Sequence, residues 1–378
     1  MTPELWFLLG IIVFWTILYA ISRIFHLEKH GLEVRPAYFM YKSKWMKNVL
    51  DKISKSRQVF WKTLANIGIV LSFGLMIFSI YFLTNNLARF FIPVGEASPI
   101  VPIIPGITLQ LYWLPYFFAA VTIIILTHEF AHGVAARIEK VPIKSAGIMA
   151  ALVFFGGFVE PDEKKMEKAS KSSKLRIIAA GSSTNLVTYL LVMLLLIGLF
   201  ASSSSGILIN ETRENSPAAT AGLQQWDVIY AINDTRILTT DDFKQYITTY
   251  NVVPGQNLTF STYRINITIT AGTNSQGNVS FGILYSNYYP LRLLEISPIV
   301  TVNLYMFLNW LSLIAGSVAI FNMLPLFPFD GEKFFYYSLE NVVKKRLREV
   351  RIFYNAVCFG LIALNIALTF INYGLIPI

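Results

Sequence analysis

Six long apolar runs, separated by polar or basic stretches, dominate the pattern of this chain. Leu5 to Phe25, Ala65 to Leu83, Leu111 to Ile138, Leu175 to Phe200, Ile299 to Asn322 and Ile352 to Tyr373 each come close to the 20 or so residues that an α-helix needs to cross a bilayer core. Lys144 to Glu160 is apolar too, but it is short and interrupted by Gly147, Gly156 and Gly157. A re-entrant hairpin, an interfacial element and a loop packed among helices all fit it. From Ser202 to Ser286 the pattern changes to short alternating strands and turns, which predicts a folded polar domain inserted between the fourth and fifth spans. The expectation is an α-helical polytopic membrane protein of about six transmembrane helices carrying an inserted α+β domain. Its parts are 1–62 (anchor and basic segment), 63–201 (first part of a membrane core), 202–286 (the insertion) and 287–378 (second part of the core with the last helix).

Composition agrees with a membrane solvent: 54% of the 378 residues are hydrophobic and 14% charged, where soluble domains carry about a quarter. The net charge of +9 raises nucleic acid as a partner, but the lysines and arginines sit beside the apolar runs. They mark topology instead. His26 to Lys62, Glu163 to Arg176 and Lys344 to Arg351 are the basic stretches, and all fall on one side if both termini lie outside. That places the insertion outside the cytoplasm in a multi-pass cell-membrane protein, a placement also favoured by Asn210, Asn233, Asn257, Asn266 and Asn278, each the start of an N-x-S/T triplet. No positive charge precedes Leu5, so the first run reads as an anchor and not a signal peptide. One cysteine, Cys358, excludes an internal disulfide.

Chemistry concentrates in the third run, at His128-Glu129-Phe130-Ala131-His132. Residues four apart share a helical face, so His128 and His132 can offer two imidazole nitrogens to one ion. Glu129 lies about 100° further round, within reach of a water on that ion but not aimed as a ligand. Ionisable groups at membrane depth cost roughly 2.5–3.5 kcal/mol, so they usually have a task. A Zn2+ site built on two histidines needs a third protein ligand and an open position. Past the fifth run, Asn322-Met323-Leu324-Pro325-Leu326-Phe327-Pro328-Phe329-Asp330-Gly331 breaks the helix and returns an aspartate to the cytoplasmic side, the depth of His132. Asp330 is the expected third ligand, with an ordinary turn before Gly331 as the alternative. In the fourth run Gly181-Ser182-Ser183-Thr184-Asn185 sets a glycine and an asparagine on one face. Helix packing is one reading; support of substrate or transition state by Asn185 and Asn322 is the other.

The set HEFAH, Gly181-x-x-x-Asn185, then Asn322-x-x-Pro325 with Phe329-Asp330-Gly331, resembles the site-2 protease family of intramembrane zinc metalloproteases. The likeness runs from about Ile104 to Gly331, and Phe329 stands where the family has leucine. It implies cleavage of transmembrane segments of membrane-anchored proteins, with His128, His132 and Asp330 on zinc and Glu129 as general base. It also implies that the Gly156-Gly157 region pairs as an edge strand with an unwound substrate. The insertion is similar to a PDZ domain through Ser216-Pro217-Ala218-Ala219, Ala221-Gly222-Leu223, Asp227-Val228-Ile229, Ile232-Asn233 and Asp242-Phe243, with Trp226 in place of the usual glycine. Such domains bind extended peptides. The rival reading is a polytopic receptor or transporter with a peptide-sensing external domain and a structural histidine pair, which expects no bound zinc.

Overall fold

The computed structural model describes residues 3–92, 95–152, 154–274, 276–294, 296–343 and 346–375. Met1, Thr2, Lys344 and Lys345 of the expected anchor and basic stretch lie outside them. The chain forms two compact units, Met1–Leu190 with Trp310–Ile378, and Leu191–Asn309.

The first unit begins with α1 (Pro3–Ile24), strands β1 (Leu32–Arg35) and β2 (Tyr38–Lys42), and α2 (Lys44–Lys55). Then follow α3 (Gln58–Arg89), α4 (Leu114–Ile138), β3 (Ile143–Ala151), β4 (Phe154–Pro161), the short α5 (Glu163–Glu167) and α6 (Lys171–Leu199), the last of which belongs to this unit as far as Leu190. Beyond the insertion it resumes at Trp310, within α9 (Pro298–Phe321), and continues with α10 (Asp330–Val343) and α11 (Leu347–Tyr373). Among the described residues five helices are long and apolar enough to cross a membrane: Gln58–Arg89, Leu111–Ile138, Lys171–Leu199, Pro298–Phe321 and Leu347–Tyr373. The first expected span coincides with α1, Pro3–Ile24.

The glycine-broken stretch after α4 is a β-hairpin, and its glycines have a packing reason. A Cβ on Gly156 would lie 2.5 Å from Ile125 Cγ2 and one on Gly157 3.0 Å from Leu126 Cδ2, so only bare backbone lets β4 lie directly on α4. A Cβ on Gly147 would fall on the carbonyl oxygen of Tyr41, where β2 pairs with β3. The basic segment, to which the sequence assigned only a side of the membrane, supplies half of this sheet: the order is β1-β2-β3-β4, antiparallel throughout. That leaves β4 as an edge strand. On α1, the Trp15 indole donates to the Leu152 carbonyl at the hairpin's tip over 2.8 Å.

Helix α4 ends where it must for the hairpin to fold back. Lys140 takes a left-handed φ of 60°, Val141 N–H donates to Ala136 O at 2.8 Å and Lys140 N–H to Arg137 O at 3.1 Å. This is a Schellman closure, with Pro142 preventing any continuation. Against the same end of α4 packs α2, capped by Ser43 through the Met46 amide. Its Leu50 is fully buried beside Gly133, whose Cβ would approach to 2.9 Å, and Asp51 pairs with Arg137 at 2.6 Å. Elsewhere α3 and α11 are tied by a polar contact with no loose ends: Asn86 Nδ2 donates to Asn365 Oδ1 at 2.9 Å, and Asn365 Nδ2 to Leu83 O at 3.0 Å.

The second unit contains β5 (Ile207–Thr212), α7 (Pro217–Thr220), β6 (Val228–Ile232), β7 (Thr235–Arg236), α8 (Thr240–Thr249), β8 (Asn257–Thr262), β9 (Asn266–Thr270), β10 (Gly272–Thr273), β11 (Val279–Ser280) and β12 (Ile283–Asn287). Its main sheet runs β12-β5-β6-β8-β9 with β7 on β6, around a core of Ile207, Ile209, Ile229, Ile232, Phe260 and Ile269. A capping box, Thr239 with Asp242, starts α8. Trp226 adopts φ 71°, the left-handed region that glycine enters without cost, which accounts for the glycine usual at that turn.

The packing of α2 gives a direct prediction. Leu50→Ala leaves a cavity against Gly133 and Val134 and should cost about 2–5 kcal/mol, read as a lower thermal midpoint in detergent, while Lys52→Ala on the exposed face of the same helix should leave it unchanged.

Candidate metal centre

Two turns of α4 and the loop after α9 build the centre, all within the first unit. His128 and His132 stand one turn apart on α4 with ring centroids 4.7 Å apart. Asp330 is the first residue of α10, brought back by the break at Asn322 to Phe329. Its Oδ2 lies 3.1 Å from His128 Nε2 and 3.0 Å from His132 Nε2, and the two Nε2 atoms are 3.1 Å apart. The three residues form the one His/Cys/Asp/Glu group among the described residues whose ligand atoms could hold a metal ion.

The donor chemistry fits zinc. Zinc sits about 2.0–2.1 Å from nitrogen and oxygen ligands, which in a tetrahedron puts neighbouring ligands roughly 3.3 Å apart. The three atoms are already near that spacing. Two imidazoles and a carboxylate, all largely shielded, also crowd more lone pairs than they can satisfy among themselves, so a cation belongs between them. His132 Nδ1 lies 2.7 Å from the Ile177 carbonyl, which fixes its N–H there and turns the Nε2 lone pair to the centre.

Space for the rings comes from Gly181 on α6. A Cβ there would lie 2.5 Å from His128 Nε2 and closer still to His132 Nε2. The glycine expected to admit a neighbouring helix thus admits the metal-facing edges of two rings. Four residues on, fully buried Asn185 places Nδ2 2.9 Å from His128 Nδ1, on the side of the ring away from Asp330. Asn322 is different: its Nδ2 lies 2.9 Å from Asp330 Oδ2, 3.3 Å from Ser182 Oγ and 3.3 Å from His128 Nε2. Both asparagines therefore sit against the expected ligands themselves.

Glu129 faces the sheet, and its Oε2 accepts the Val159 N–H of β4 at 3.1 Å. The residues that sequence reasoning missed are mostly backbone groups, the Ile177 carbonyl and the Val159 amide, which leave no mark on side-chain identity. Ser182, beside Gly181, had only its position as a signal. A cavity of about 460 Å³ lies along Leu126, Phe130, Val134, Ala180 and Thr184, and neither histidine nor Glu129 or Asp330 lines it.

Residues 116–377 match the profile of Peptidase family M50, well over half of the chain and including every residue of the centre. The chain belongs to peptidase family M50. This is the family of the site-2 proteases, so the resemblance carried by the three motifs is confirmed. An uncharacterized protein of Methanocaldococcus jannaschii is 27% identical, covering 85% of this chain and 81% of its own. Provisionally named zinc metalloproteases of Agrobacterium fabrum and Clostridium perfringens are 31% and 29% identical over shorter parts, 23% and 32% of this chain. The chain spans 22% and 38% of those two relatives' own lengths. Among solved structures, PDZ domains of SdrC-like proteins from Listeria monocytogenes and Listeria innocua align at 18% and 21% identity. They cover 22% and 21% of this M50 chain and 92% of each domain, with TM-scores of 0.21 and 0.19.

Because a methyl group at residue 181 would occupy the centre, Gly181→Ala should abolish zinc uptake, whereas Ser183→Ala on the same helix should leave it intact. Metal analysis of the purified proteins decides this; full zinc content in Gly181→Ala would mean that the rings hold no ion.

Proposed function

We propose that this chain is an intramembrane zinc metalloprotease that cleaves transmembrane segments of membrane-anchored protein substrates. The observation that carries the reading is the meeting of His128 Nε2, His132 Nε2 and Asp330 Oδ2 within 3.1 Å of one another, with Glu129 next in sequence to one ligand. His128, His132 and Asp330 would hold the ion. Zinc bound there supplies Lewis acidity to the scissile carbonyl and to the attacking water.

The rest falls to the chain's own groups. Glu129, acting as general base, takes the proton of the attacking water and passes it to the leaving amine. A helical substrate hides its carbonyls in its own hydrogen bonds, so it must be unwound locally before attack. Strand β4 is the free edge of its sheet and can pair with such an extended segment. Its Val159 amide is held by Glu129, so the strand that receives the peptide and the carboxylate that moves the proton are joined directly. Asn322, donating to Asp330, keeps that ligand's carboxylate oriented.

The long apolar helices support a reaction within a bilayer, and the basic clusters favour a site toward the cytoplasmic side with the insertion outside. We read the second unit as PDZ-like from its order of strands and helices. Its edge strand β12 lies beside α8, with the Phe243 and Tyr285 rings 4.9 Å apart, and an extended peptide is the partner class that suits it.

Glu129→Gln should keep full zinc content and lower cleavage of a transmembrane substrate in detergent by at least about a hundredfold. Cleavage at the parent rate would remove Glu129 as the base. Asp330→Ala should lose both zinc and activity. A parent protein without zinc, indifferent to chelators, would favour the receptor or transporter reading instead.

A further inference from the structure

Asn185 is the buried group that the proposed mechanism does not use. It is fully buried on α6, with its amide against His128 Nδ1 at 2.9 Å, and its Oδ1 is a buried atom with no hydrogen-bond partner. An unpartnered amide oxygen at this depth costs about 1–3 kcal/mol, so the side chain needs a second arrangement in which both ends are used.

The two amide orientations correspond to two states of the imidazole. With Nδ2 toward the ring, the amide donates to Nδ1, and the neutral imidazole must carry its proton on Nε2. That N–H then points at Asp330 Oδ2, 3.1 Å away, and cannot bind a metal. With the amide ends exchanged, Oδ1 accepts Nδ1–H, and the Nε2 lone pair is free to face the centre. The orphaned oxygen finds its partner in the same move. Nδ2 is then free to donate elsewhere, as the side chains of Asn309, Asn355 and Asn365 do to carbonyls four residues back in their own helices. The first arrangement pairs the ring with Asp330 but leaves Oδ1 without a partner, and the second is required with metal. His132 has no such choice, because a backbone carbonyl can only accept.

We infer that Asn185 is a positioning residue that sets the tautomer of His128, its amide turning over as the centre takes up zinc. This rests on the zinc reading above and replaces the expected role of Asn185 in supporting substrate. The packing across helices is real, but its receiving end is a metal ligand.

Zinc affinity of the full-length protein, measured by competition with a chromophoric chelator, separates the cases. Asn185→Asp keeps the acceptor and removes the donor; it should bind zinc at least as tightly as the parent. Asn185→Leu removes the acceptor at similar volume and should weaken zinc about 10–100-fold. Asn185→Ala, which adds no bulk, should weaken it likewise should the leucine variant fail to fold. Thermal midpoints of the zinc-free proteins report on folding separately. Parent-like affinity in the alanine variant, or an aspartate variant as weak as the alanine one, overturns the assignment. A parent that takes up no zinc overturns the zinc reading itself, and the inference with it.

Discussion

Everything in the first unit that bears on function depends on one electrostatic constraint: two imidazole nitrogens and a carboxylate oxygen are held within 3.1 Å of each other among membrane helices. In water such a cluster would be relieved by solvent. Here neighbouring groups must do it, and each of them is accounted for. The Ile177 carbonyl fixes one ring, Asn185 the other, Asn322 donates to the carboxylate, and bare Gly181 backbone keeps the interior clear. What they leave over is a demand for positive charge at the centre, which a divalent cation meets at those distances.

The β-hairpin belongs to the same constraint. Open strand edges are not tolerated facing lipid, because unpaired amides and carbonyls cost several kcal/mol each there. One side of the hairpin is closed by β2, whose partners Tyr38 to Lys42 run along Ala151 to Gly147. On the other side Glu129 takes one edge amide, and Gly156 and Gly157 press the strand onto α4. The N-terminal segment is therefore a structural part of the sheet beside the centre, and α2 fixes the end of α4 from below through Leu50 and Asp51. An unpaired strand edge among apolar helices is expensive, and β4 retains one.

Much of this was legible in the residues. The apolar runs identified the long helices because hydropathy over some 20 residues is a strong signal, and the i, i+4 histidine pair fixed two members of the centre by helical geometry alone. Asp330 was reachable from topology, 198 residues beyond His132, because counting crossings returns it to the same depth. The strands β1 and β2 were not legible: nine residues, Leu32–Arg35 and Tyr38–Lys42, interspersed with charges, read as a basic linker until β3 is there to pair with them. The hairpin's glycines looked like breaks, since their meaning lies in the side chains of α4 that they avoid. The contact of Asn185 with His128 was hidden for a related reason. Its spacing from Gly181 says which face it occupies, not which atom of a distant ring it meets.

The loop from Asn322 to Gly331 shows why its polar residues stand eight apart. Asn322 receives the Asp330 amide on Oδ1 at 3.3 Å, returns Nδ2 to the Asp330 carboxylate at 2.9 Å, and accepts the Gly331 amide on its own carbonyl at 2.8 Å. Three bonds from one residue close the loop on itself and satisfy the first amides of α10, which would otherwise be orphaned at depth. Gly331 is required at that seam because a Cβ would collide with the backbone of Met323 and Leu324. The carboxylate is thus carried on a clasp internal to its own segment, so its position relative to α9 is set by bonds that involve neither α4 nor α6. A carboxylate fixed in this way loses little conformational freedom when it is held beside His128 and His132, which share one helix far back along the chain.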